Sequence, residues 1–153
     1  MELRLSAHSV YKVDYHVVFV TKYRRKVLSP GVVGYLRKLF PKVVQYTPGV
    51  EIKTLGFDDR ERDHVHLEML IPPKYSISKV VGILKSKSSS GLRKKFPFIN
   101  KVRGYEGKDI VWSVGYYVSS LGYEEAEVRK YIRWQGRQDL GQVQLSLLDS
   151  TDM

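Results

Sequence analysis

Asp63-His64-Val65-His66-Leu67-Glu68-Met69-Leu70-Ile71 alternates polar and apolar side chains, the period of a β-strand buried on one face. Val65, Leu67, Met69 and Ile71 fall on the apolar face, and His64, His66 and Glu68 on the other. Two imidazoles two residues apart therefore project side by side, well placed to hold a divalent cation through neutral ring nitrogens. The plainer alternative is a pair of surface histidines. Just upstream, Val50 to Phe57 (VEIKTLGF) also alternates, and Asp58-Asp59-Arg60-Glu61-Arg62 is a polar turn. These two strands are expected to form an antiparallel hairpin.

Working outward, Val13 to Tyr23 (VDYHVVFVTKY) is β-branched and aromatic and reads as a strand, with His16 packed or at the surface. Lys22, Tyr23, Arg24, Arg25 and Lys26 follow as a basic cluster suited to phosphates, with Tyr23 available for stacking. Ser29-Pro30 is a helix start, and Val33, Leu36, Leu39, Phe40 and Val43 predict a helix over 30–46 despite Pro41. Thr47-Pro48-Gly49 stops it. Pro72-Pro73 ends the histidine strand, and Ser76 opens a second helix with Ile77, Val80, Val81 and Leu84 on its apolar face. This helix continues into a stretch to Lys95 that has no acidic residue, where Lys85, Lys87 and Arg93 are candidates for phosphate contact. Residues 96–110 read as a loop, 111–121 (VWSVGYYVSSL) as the last strand, and 124–135 as a final helix with an acidic first turn. Residues 136–153 lack a pattern and are expected to be a tail or an exchanged arm.

The order β-α-β-β-α-β predicts an α+β, ferredoxin-like (RRM-like) antiparallel sheet with both helices on one face, plus a C-terminal helix. One domain is expected over 1–138, with a tail over 139–153. His64 and His66 would then point from the open face. The chain has 153 residues, 26 Lys+Arg against 16 Asp+Glu, a net charge of +10 and no cysteine. Such a balance suggests a polyanionic partner, most often nucleic acid, and the missing cysteines exclude thiolate chemistry. No apolar run approaches a membrane span, and no secretory signal is seen, so a cytoplasmic protein is the expectation. No G-x-x-x-x-G-K-[ST] motif is present, and no nucleotide cofactor is expected.

Tyr131 and Gln135, four residues apart, share a face of the last helix, and Val128 and Ile132 form a neighbouring apolar stripe. Seated on the open face, this helix can bring Tyr131 and Gln135 to the histidines. His64, His66 and Gln135 would make an N,N,O set with open positions, which suits Mg²⁺ or Mn²⁺ better than a closed zinc site. Tyr131 beside it can act as a nucleophile.

His64-Val65-His66 resembles the histidine-hydrophobic-histidine motif, and Tyr131-Ile132-Arg133-Trp134-Gln135 resembles the Tyr-x-x-x-Gln of single-tyrosine transposases. Those transposases serve small insertion sequences that move as single-stranded DNA; REP-associated tyrosine transposases belong to the same superfamily. YHVVFVTKYRRKVL (15–28), RDHVHLEMLIPP (62–73) and VWSVGYYVSSLG (111–122) are also similar to that family in wording and order. The resemblance covers about residues 10–136. It implies metal-dependent nicking and rejoining of single-stranded DNA, with Tyr131 forming a 5′-phosphotyrosine that a 3′-hydroxyl later attacks. It also implies recognition of hairpins near the element ends, a homodimer with active sites shared between subunits, and a prokaryotic, nucleoid-associated setting. The tail after 138 and the roles of Trp134, Gly136 and Arg137 lie outside it.

Four other readings fit parts of the pattern. An RNA-recognition-like binding module could stack bases on Tyr116 and Tyr117, but leaves His64, His66 and Gln135 unexplained. A histidine phosphoesterase would need a third histidine where Glu68 stands. A domesticated hairpin-binding relative, or a replication-type nickase, would share the histidine and tyrosine chemistry.

Overall fold

The computed structural model describes residues 4–5, 10–11, 14–120, 122 and 124–151, with side chains described over 14–120, 122 and 124–141. A short antiparallel ribbon, β1 (Arg4–Leu5) and β2 (Val10–Tyr11), precedes the main sheet. The main sheet holds β3 (Asp14–Val20), β4 (Glu51–Phe57), β5 (His64–Leu70) and β6 (Tyr117–Ser119), in the order β4-β5-β3-β6 with every pair antiparallel. Helices α1 (Pro30–Val43) and α2 (Ile77–Lys95) cover one face, and α3 (Glu125–Thr151) lies on the other. This is the ferredoxin-like α+β arrangement with an added C-terminal helix. Among the described residues, no helix is long and apolar enough to cross a membrane.

Strand β3 explains the layering. Val17 and Phe19 enter the large core with Leu36 and Phe40 of α1, Leu67 and Met69 of β5, and Leu84 of α2. Val18 and Val20 point the other way, against Val128 and Ile132 of α3. A strand buried on both faces needs no alternation, which is why VVFV runs apolar without a break. Strand β5 meets α1 and α2 on one face only, so Val65, Leu67 and Met69 are fully buried while His64, His66 and Glu68 stay half-buried opposite them. Leu67→Ala should cost about 3 kcal/mol through lost transfer energy and an incompletely collapsed cavity. Urea denaturation measures it, and a loss under about 1 kcal/mol would mean that this face is not the core.

Helix α1 starts where the sequence predicts, with Ser29 Oγ accepting from Val32 N–H at 3.5 Å, and a 3₁₀ turn (Val44–Tyr46) extends it to the predicted end. Helix α2 runs unbroken through its triple serine because small residues are needed there. Ser88 is buried and accepts a 2.8 Å hydrogen bond from Trp112 Nε1, and a methyl on Gly91 would fall onto the Tyr35 hydroxyl of α1.

Two boundaries differ from the sequence reading. The strand predicted over 111–121 is broken in two. Ser113 N–H donates to Val20 O at 2.8 Å and Lys22 N–H to Val111 O at 2.8 Å, but β6 proper spans only Tyr117–Ser119. Between them the backbone turns out at Gly115 (φ +92°), where Lys85 Nζ donates to Ser113 O at 2.8 Å and also to Gly115 O. The last helix does not stop at 135. It continues through 138 to Thr151, and the reason is Asp139, which is fully buried against the turn after β3.

Candidate active site

The histidine pair sits on the open face, as its alternation requires. In the sheet register His64 lies opposite Val20 and His66 opposite Val18. His64 Nδ1 is 2.8 Å from Asp63 Oδ1, and the other Asp63 oxygen accepts from Arg24 Nε at 3.0 Å. Burial works to raise the Asp63 carboxyl, but the hydrogen bonds from His64 and Arg24 outweigh it and hold the group below its ordinary value. A carboxylate on Nδ1 selects the tautomer that leaves Nε2 as a free acceptor, the form that binds a cation. His66 Nε2 lies 3.2 Å from Nδ1 of His16, and the two rings stack with centroids 5.4 Å apart. Burial, then the charges of His16 and His64, push His66 down to about 4.

That depression has a consequence for stability. The unfolded chain takes up a proton on this histidine near its ordinary value of 6.5, whereas the folded one resists to about 4. The folded state is therefore expected to lose stability as pH falls through this window, with none of the loss above it. Thermal unfolding of the metal-free protein at pH 7, 5.5 and 4.5 checks the direction. His66→Gln should flatten that slope.

On α3, Tyr131, Gln135 and Asp139 recur every four residues and so share a face. The Tyr131 hydroxyl donates to Gln135 Oε1 at 3.4 Å, and Gln135 Nε2 donates to Asp139 Oδ1 at 3.3 Å. The Tyr131 ring lies against Tyr117 of β6 at 6.1 Å and Trp134 at 6.2 Å. Burial, then the Asp139 charge, hold its phenol well above the ordinary tyrosine value.

The two halves fall on opposite flanks of α3. Val128 and Ile132 seat the helix over Val18 and Val20 of β3. His66 and Tyr117 pair with Val18 from either side, so about 10 Å of sheet separates the backbones that carry them. Tyr131 and Gln135 lie on the β6 side, where a Cβ at Gly115 would sit 3.9 Å from the phenol oxygen and 3.7 Å from Gln135 Oε1. His64 opens on the other flank, into a cavity of about 240 Å³ where Arg24, Arg60, Arg129 and Arg133 meet the carboxylates of Asp58, Glu61, Asp63 and Glu125. Within one chain the register thus sets Tyr131 and Gln135 beside β6 and His64 on the far flank of α3. As to metal fit, the imidazoles offer the right donors, but among the described residues no three His, Asp or Glu side chains gather around one point.

The basic residues divide by burial. Lys22 is buried with its Nζ 3.1 Å from Asp139 Oδ1, and Tyr23 lies in contact range of Gly104. Arg93 donates to Ile110 O and Tyr105 O, pinning the 96–110 segment. Lys85 holds the Gly115 loop, and burial lowers it to about 8, with Asp139 partly offsetting. Arg24 is tied to Asp63, and Arg25 Nε donates to Arg103 O at 3.1 Å. Lys26 and Lys87 stay exposed. Neither Tyr116 nor Tyr117 stands free. Tyr117 packs on Tyr131 and its hydroxyl donates to Glu127, while the Tyr116 hydroxyl lies 2.8 Å from Ser78 Oγ.

Sequence reasoning gave no role to Asp63, Asp139, Arg60, Arg129 or Arg133, and read His16 only as packed or at the surface. Asp63 directly precedes the histidine pair, and Asp139 continues the four-residue spacing from Tyr131 and Gln135, so both carried a readable signal. His16 did not, because its contact with His66 depends on the strand register.

Comparison with known proteins adds independent findings. A family profile described as "Transposase IS200 like" matches residues 9–135. The transposase for insertion sequence element IS200 of Salmonella typhimurium is 35% identical over 148 residues, spanning 92% of this chain and 88% of that protein. The ISDra2 transposase TnpA of Deinococcus radiodurans is 26% identical over 136 residues, spanning 88% and 92%. A crystal structure from Deinococcus radiodurans superimposes with a TM-score of 0.72 at 27% identity, covering 86% of this chain and 97% of the other.

Proposed function

The chain belongs to the IS200-like transposase family, and we propose that it cuts and rejoins single-stranded DNA through the Tyr131 hydroxyl, beside a divalent cation held by His64, His66 and Gln135. The observation that carries the reading is the histidine pair on the open face, with His64 Nδ1 tied to Asp63 and burial pushing His66 below its ordinary value. A neutral imidazole pair plus an amide oxygen suits Mg²⁺ or Mn²⁺ with positions left for water and phosphate. When bound, such a cation would draw charge from the scissile phosphate and favour the phenolate.

The residues of the chain perform the transfer. The Tyr131 oxygen attacks phosphorus, the bond from phosphorus to the 3′-oxygen breaks, and that oxygen departs as a hydroxyl once protonated. The 5′-phosphate stays on Tyr131 as an ester. A second 3′-hydroxyl then attacks the ester and returns the phenol. One phosphodiester is exchanged for another, so the reaction needs no nucleotide cofactor.

The lateral offset of Tyr131 and Gln135 from the histidines supports a homodimer in which each site joins the histidines of one copy to α3 of the other. The substrate is proposed to be single-stranded DNA carrying hairpins near the insertion-sequence ends. Its phosphates would run over exposed Lys26 and Lys87 and the half-buried Arg25, with Arg60 and Arg133 added at the cavity beside His64, where carboxylates offset part of the positive charge. The deciding experiment incubates the protein with Mg²⁺ and end-labelled single-stranded element ends. A detergent-resistant protein–DNA adduct is expected, carrying label from the 5′-phosphate side of the cut.

A further inference from the structure

We propose that Asp139 is a positioning residue for the Tyr131–Gln135 face: its buried carboxylate orients the Gln135 carboxamide so that the oxygen, not the nitrogen, is presented beside the Tyr131 hydroxyl. The consequence for metal binding rests on the function proposed above.

Asp139 is 0% exposed and gathers four donors from three parts of the chain. Lys22 Nζ reaches Oδ1 at 3.1 Å and Gln135 Nε2 reaches the same oxygen at 3.3 Å. Tyr23 N–H reaches Oδ2 at 2.9 Å and Ser113 Oγ reaches it at 2.6 Å. A carboxylate only accepts, so the amide edge facing it must be the NH₂. The other edge of Gln135, which faces the Tyr131 hydroxyl and Gly115, is then the carbonyl oxygen. Reversed, the amide would present hydrogens, which cannot coordinate a cation.

The anchor is over-determined. Tyr23 (φ 58°) and Arg24 (φ 51°) both take the left-handed conformation, which aims the Tyr23 N–H at Asp139. Gly136 lets the helix close on this turn, since a Cβ there would lie 2.6 Å from Arg24 Cδ. The cluster read in the sequence as a phosphate contact thus begins with a receptor for α3.

The test uses the full-length protein. Asp139→Asn is isosteric but presents a donor to Gln135 Nε2 or to Tyr23 N–H, whichever way it turns. It should weaken Mn²⁺ binding, read by electron paramagnetic resonance, about 10- to 100-fold, as loss of a partner behind a ligand does. Ser113→Ala loosens the same anchor through Oδ2 but spares the Oδ1–Gln135 bond, and should hold Mn²⁺ within about twofold of the unmodified protein. Equal losses in the two variants would overturn the positioning role and leave only a structural one. If Asp139→Asn fails to fold, the unmodified protein decides: slow hydrogen exchange of the Gln135 side-chain NH₂ supports the proposal, and exchange at the solvent rate overturns it. This exchange is read without metal or DNA. Absence of Mn²⁺ binding by the unmodified protein, with the NH₂ protected, would count against the proposed function and not against the Asp139 contact.

Discussion

Tyr131→Phe should abolish the covalent protein–DNA adduct, lowering strand cleavage by roughly 10⁴-fold or more, the scale of losing a nucleophile outright. The substitution removes one oxygen. Among the described residues its hydroxyl makes one long hydrogen bond, 3.4 Å to Gln135, and the ring keeps its contacts with Tyr117 and Trp134. Fold and DNA affinity should therefore stay near those of the unmodified protein, which separates lost chemistry from lost binding. Gel separation after denaturation reads the adduct, and filter binding reads affinity. Persistent nicking by the phenylalanine variant would remove Tyr131 from the nucleophile's role.

Mixing two inactive variants should restore cleavage. His64→Ala lacks one of the proposed metal ligands and Tyr131→Phe the proposed attacking oxygen, so each homodimer is expected to be dead. In a mixed dimer with shared sites, one site carries both lesions and the other carries neither. Random exchange in an equal mixture makes half the dimers mixed, and so returns about a quarter of the unmodified activity. A site built within one chain would recover nothing. The basis is the position of α3: its Val128–Ile132 seam over β3 leaves Tyr131 on the β6 side and His64 on the other. A mixture that stays silent, although subunit exchange is verified, would require α3 to swing across its own sheet.

Much of this was legible in the chain. The alternation over 63–71 separated the histidines from the core face, and the register bears this out, with His64 and His66 beside the outward-facing Val20 and Val18. Ser29 and Ser76 marked helix starts because an extended residue with a side-chain oxygen satisfies the first free N–H groups of a helix. Gly115 stood inside an apparent strand, and there the pairing breaks. The basic run after β3 was readable as charge but not as contact. Whether a lysine meets phosphate or a buried carboxylate depends on a partner 117 residues away, here Asp139.

Periodicity alone determined the β-α-β-β-α run from β3 to α2, which face of each of these elements is apolar, and that Tyr131 and Gln135 share one face of the last helix. Only the tertiary structure decided that Tyr131 lies on the β6 side of α3 and His64 on the other, that α3 runs on to bury Asp139, and that burial pushes His66 down and Tyr131 up from their ordinary values. The physical reason is that a repeat of two or 3.6 residues fixes rotation about an element's own axis. Lateral offset across a sheet and the loss of solvent around a charge are set by packing between residues far apart in the chain.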